Sequence, residues 1–105
     1  MSPGRRPMRR VGDLLPDAAR ALGLEEELRL GRAAAAFSAI LAERAPGTEG
    51  AARLVRISGR AVIVEVDHPI VGQEVRMRST ELLEALADAP GGVPADEIRT
   101  VGRRG

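Results

Sequence analysis

His68 is the one histidine of the chain and the first residue to weigh for chemistry. It follows a β-branched run, Val62-Ile63-Val64-Glu65-Val66, and stands just before Pro69, where a helical pattern begins. Such strand-to-helix junctions often carry catalytic groups. A general base, however, needs a nucleophile and an orienting partner, and no Ser or Cys stands beside His68. The chain has no cysteine, which removes thiol nucleophiles, thiolate metal sites and disulfides. A metal would have to rest on Asp67, one imidazole and distant carboxylates, a set with no ligand spacing behind it. Glu65 and Asp67 share one side of a strand, but nothing marks a cleft around them. These residue types predict structural roles instead. Asp67 or His68 caps the helix that opens at Pro69, and Arg53, Arg56 and Glu65 form cross-strand charge pairs.

Phosphate chemistry is the other option. Neither a Walker-type loop nor a G-x-G-x-x-G run occurs, which argues against a nucleotide-binding enzyme. Gly47-Thr48-Glu49-Gly50 matches the G-x-x-G loop with which KH domains clamp a nucleic-acid backbone. That loop joins two helices, whereas this one leads from a helix to a strand, and Glu49 would repel phosphate. It is expected to be a turn. No reaction, cofactor or small-molecule substrate is expected, and the chain reads as a binding module.

All 16 basic residues of the 105 are Arg, yet the net charge is only +1. Arg, Ala, Gly and Pro enrichment is what GC-rich coding produces, so total Arg content says little. Its distribution says more. Arg5, Arg6, Arg9 and Arg10 crowd the first ten residues without an acid, and Arg99, Arg103 and Arg104 lie at the far end. Mobile basic arms can follow a phosphate backbone. The candidate nucleic-acid contacts are therefore Arg5, Arg6, Arg9 and Arg10, helped by Arg53, Arg56 and Arg60. Phe37 is the only aromatic residue, which argues against a reader that stacks bases on aromatic platforms.

The elements that must position these groups centre on Arg53–Val75. Val55 and Ile57 precede Ser58-Gly59, and Val62, Val64 and Val66 follow. With Ser58-Gly59 as a two-residue loop, Val55 faces Val62 on an inner, core-forming face. Leu54, Arg56, Ile63 and Glu65 then make an outer face, and its apolar members, Leu54 and Ile63, are candidate partner contacts. Before the hairpin, residues 1–10 read as a disordered basic arm. One helix opens near Asp13 and ends at Gly23; a second begins near Leu24 and carries Leu28, Leu30, Ala33, Ala34, Phe37, Ile40 and Leu41. Gly31 kinks or divides it. After the hairpin, a helix from Pro69 to Ala87 buries Val71, Val75, Leu82 and Leu86, with Met77 and Leu83 alongside. A third strand fits Asp96–Val101, with Ile98 and Val101 buried. The order is α-α-β-β-α-β, in one domain over residues 11–102 with a tail at 103–105. No apolar run is long enough to span a membrane and no signal core follows the Arg-rich start, so a cytoplasmic protein, free or nucleoid-associated, is the default.

The order of motifs resembles the DciA-like family of bacterial replicative-helicase operators, or loaders. Its pieces are Val11-Gly12-Asp13-Leu14-Leu15, Gly23-Leu24-Glu25-Glu26, Val62-Ile63-Val64-Glu65-Val66-Asp67, Gln73-Glu74-Val75, and Ile98 with Val101-Gly102. Phe37 and Val71 stand where the family usually has Trp, which keeps the apolar core role without the indole. The sequence stops just after the closing strand, and the basic arm is expected to take the place of the tail of longer members. The resemblance implies an α+β, KH-like fold: a small mixed three-stranded sheet packed on helices. It also implies a non-enzymatic DNA-replication adaptor that contacts the replicative helicase and DNA. The residues leave two alternatives open, an RNA- or ribosome-associated KH-like module and a protein–protein interaction domain without nucleic-acid binding.

Overall fold

The computed structural model describes the backbone of residues 5–103 and the side chains of residues 17–103. The elements are α1 (Arg5–Arg44), a 3-10 turn (Pro46–Thr48), β1 (Ala52–Ser58), β2 (Ala61–Val66), α2 (Pro69–Met77), α3 (Ser79–Asp88) and β3 (Glu97–Gly102). The class is α+β, with three helices and a three-stranded mixed sheet, as the sequence predicts. The sheet order is β1-β2-β3, with β1 antiparallel and β3 parallel to the central strand.

The helix boundaries differ from the expectation in three places. The two helices expected before the hairpin are one, because Gly23 and Gly31 both keep a helical backbone. A glycine costs a helix about 1 kcal/mol, which flanking Ala and Leu absorb. This helix also runs through Arg5–Arg10, which the sequence assigns to an unstructured arm; residues 1–4 lie outside the described residues. The helix expected over Pro69–Ala87 divides at Arg78, whose φ of −104° and ψ of 16° leave the helical region. Arg78 pins that corner: its guanidinium pairs with Glu74 of α2 and, at 3.6 Å, with Glu81 of α3.

The hairpin turns one residue later than expected. Ser58 still pairs with Ala61, so the loop is Gly59-Arg60. Gly59 has φ +60°, which the first central position of a type II′ turn requires. This shift alone would put Leu54, not Val55, out of step with the core, but β1 carries a bulge. Pairing jumps from Leu54↔Val64 to Arg56↔Ile63 and leaves Val55 unpaired. An extra residue flips the alternation. Ala52, Leu54 and Ile57 therefore share the core face with Val66, Val64 and Val62, while Val55 is exposed.

One core results. Ala33, Phe37, Ile40, Leu41 and Ala45 of α1 and its end meet Leu54, Val62, Val64, Val66 and Ile98 of the sheet. Val71 and Val75 of α2 and Leu82 and Leu86 of α3 close it, as the sequence predicts. Met77 is exposed instead, as is Val101, because both face away from the helix–sheet interface. Thr48 is buried and donates its hydroxyl to the Ala45 carbonyl at 2.7 Å, so Gly47–Gly50 forms a turn, as expected.

Two glycines make opposite predictions. A Cβ on Gly92 would lie 1.7 Å from the Leu86 carbonyl oxygen, whereas one on Gly31 meets nothing within 4 Å. In urea denaturation, Gly92→Ala is expected to destabilise by about 1–3 kcal/mol. Gly31→Ala is expected to stabilise by about 0.5–1 kcal/mol.

Candidate functional site

All helices cover the same side of the sheet, and its other side is open. Register places nine residues there in three rows: Arg53, Glu65, Val101; Arg56, Ile63, Arg99; Ser58, Ala61, Glu97. Arg56 and Arg99 stand in register on either side of Ile63, which is only 4 % exposed although it faces away from the core cluster. Arginine stems commonly cover apolar surface in this way. The two partner contacts expected from sequence are thus corrected. Leu54 is buried in the core because the bulge turns it inward, and Ile63, though on the outer face, presents almost no surface.

The arginines divide by what holds them. Arg53 pairs with Glu65 across the strands and reaches Asp67 at 2.9 and 3.1 Å, the cross-strand charge pairing predicted for it. The Arg53 hydrogen bond holds the Asp67 carboxyl below its ordinary 3.8, and Asp67 in turn raises Arg53. Arg60 pairs with Asp96 at 3.0 Å, and Arg99 with Glu97 at 3.1 Å. Arg56 makes no ion pair among the described residues, contrary to the pairing expected of it. It lines a groove of about 210 Å³ with Ile57 and the α1 residues Glu26, Glu27, Arg29 and Leu30. The side chains of Arg5, Arg6, Arg9 and Arg10 lie outside the described ones.

Apart from Val55 on the hairpin, the exposed large apolar groups lie elsewhere. Residues 17–29 of α1 are exposed throughout, including Leu22, Leu24 and Leu28 at 56–62 %. None of these residues belongs to the buried core cluster. Sequence reasoning missed this because an amphipathic run of Leu and Ala reads as buried wherever it occurs. His68 occupies the N-cap position of α2 without a side-chain capping bond, and is exposed. Among the described residues no three His, Cys, Asp or Glu side chains gather as metal ligands, and no helix is long and apolar enough to cross a membrane.

The Arg53–Asp67 pair has a measurable signature. A carboxylate whose folded pKa is depressed contributes stability above its unfolded value, and that stability is lost as pH falls through the folded value. Unfolding free energy is expected to drop as pH falls below about 4. Urea titrations of Asp67→Asn across the same range should show a weaker acid dependence.

No curated protein matches the chain significantly. The family described as "Dna[CI] antecedent, DciA" matches residues 10–100, nearly the whole chain, in agreement with the order of motifs and the α+β architecture. The chain belongs to the DciA family, which is associated with loading of the replicative helicase in DNA replication.

Proposed function

We propose that this protein is a non-enzymatic adaptor of DNA replication that binds DNA and the replicative helicase and assists helicase loading. The observation that carries the reading is the family match over residues 10–100. The mixed sheet backed by helices supports a KH-like reading of the fold. The helix–helix junction, Arg76-Met77-Arg78-Ser79, holds no G-x-x-G clamp, so backbone contact falls to arginines.

Phosphate contact is assigned first to Arg5, Arg6, Arg9 and Arg10, where the sequence carries positive charge without acid. On the hairpin, Arg56 is the stronger candidate, since Arg53 and Arg60 would exchange an existing carboxylate for a phosphate. Helicase contact moves from Leu54 and Ile63 to the exposed leucines of α1. Leu22, Leu24 and Leu28 offer apolar surface that nothing within the described chain covers.

Two measurements test these assignments. In salt titrations of single-stranded DNA binding, removal of residues 1–10 is expected to flatten the slope of log K against log salt by about 0.7 per lost phosphate contact. Arg56→Ala should weaken binding more than Arg60→Ala, and an unchanged slope without the arm would exclude it as the DNA site. In pull-downs with the host's replicative helicase, Leu22→Asp with Leu28→Asp is expected to abolish capture while the thermal unfolding midpoint is kept. Undiminished capture would place the helicase contact elsewhere. Stronger binding to RNA than to DNA of the same sequence would favour the RNA-associated alternative.

A further inference from the structure

The C-terminal ends of the parallel strands β2 and β3 and the start of α2 enclose a groove of about 350 Å³. Its charged and polar lining is Arg76, Arg103, His68, Thr100 and Asp67. Ligands of open sheets with parallel strands characteristically bind outside the carboxyl ends of those strands.

The charges in the groove are unevenly satisfied. Asp67 is its only acid, and both carboxylate oxygens already accept from Arg53. Arg76 makes no ion pair among the described residues. Its guanidinium is nonetheless held in place, because Nη1 donates to the Thr100 hydroxyl at 2.7 Å. Gly72 leaves room for it: a Cβ there would stand 3.2 Å from Arg76 Nη1 and 3.9 Å from Thr100 Oγ1. Arg103 enters from the other side. Its N–H donates to the Val66 carbonyl at 3.0 Å, which continues the strand pairing beyond Gly102. Its guanidinium lies 3.7 Å from Asp67, long for a charge-assisted bond. The start of α2 adds little, since the N–H groups of Val71 and Gly72 both go to the His68 carbonyl.

We infer that this groove binds a phosphate group, with Arg76 and Arg103 as its ligands and Thr100 and Gly72 as positioning residues. A guanidinium presents several donors in a fixed fork that matches phosphate oxygens, and here one is oriented in advance. The phosphate is either a nucleic-acid backbone group or free inorganic phosphate. The inference does not depend on the helicase-loading reading, since inorganic phosphate alone tests it.

The experiment is titration of the full chain, ¹⁵N-labelled, with sodium phosphate at constant ionic strength. Saturable shifts are expected at the amides of Ile70–Gly72 and Thr100–Arg103 and at Arg76 Nε. Arg76→Gln and Arg103→Gln are each expected to weaken binding about tenfold. Thr100→Val should weaken it less, with the amide spectrum otherwise kept, and Arg99→Gln, on the open sheet face, should not change it. Shifts spread evenly over all arginines, no saturation, or unchanged binding by Arg76→Gln would overturn the inference. A parallel titration with oligothymidylate separates the sources. Loss of affinity in the Arg76→Gln, Arg103→Gln double variant marks a backbone phosphate; unchanged affinity, with inorganic phosphate still bound by the parent chain, marks a free one.

Discussion

The register of β1 on β2 is the constraint on which the rest of the molecule depends. β2 is the central strand, with one antiparallel and one parallel neighbour, so its valines are fixed toward the helices. β1 must match them while its turn is set by Gly59. The single unpaired residue, Val55, lets Leu54 and Ile57, three apart, meet the same core. Without that extra residue, strict alternation from the Gly59-Arg60 turn would put Leu54 opposite Glu65 on the open face and bring Val55 and Arg53 inward. The bulge thus decides both the packing and the chemistry of the open face.

Among the described side chains, much of the positive charge is paired within the molecule. Arg53, Arg60 and Arg78 each join segments or strands through a carboxylate, and Arg99 pairs with Glu97 within β3. Arg44 ties α1 to α3 through Glu81 at 3.4 Å. Exposed pairs of this kind contribute little stability individually. Their larger effect is to neutralise surface that would otherwise look uniformly basic, so that on the sheet and α2 the arginines without carboxylates, Arg56 and Arg76, stand out.

α1 divides into two physical regimes. From Leu30 onward its small and apolar residues settle on the sheet, and Ala33 and Phe37 are fully buried. Before that point residues 17–29 are exposed, and none of them joins the buried cluster. A helix without tertiary contacts is marginal in water even with good propensity. Burying its exposed leucines Leu22, Leu24 and Leu28 against a partner would stabilise this part of the helix, which is the physical ground for proposing them as a contact surface.

Much of this was legible in the chain. Periodicity alone identified the hairpin strands, the buried stripe of Val71, Val75, Leu82 and Leu86, the aliphatic core around Phe37, and the third strand at Ile98, since these follow from local alternation of apolar residues. The order of short motifs was enough to indicate the family. The candidate site was less legible. Leu54 was misread because facing is a property of the pair of strands, and the bulge is invisible in either one; Ile63 keeps its expected face but is covered there, which depends on neighbouring strands. The environment of Arg76 was hidden for a similar reason: Thr100, the group that orients it, is 24 residues away. Sequence by itself determined the type of the strands and of the core-facing helical segments, though not where each helix begins, merges or divides, because those preferences are local. Only the tertiary structure decided which face each side chain takes and which arginines are left without a carboxylate, because both depend on neighbours brought together by folding.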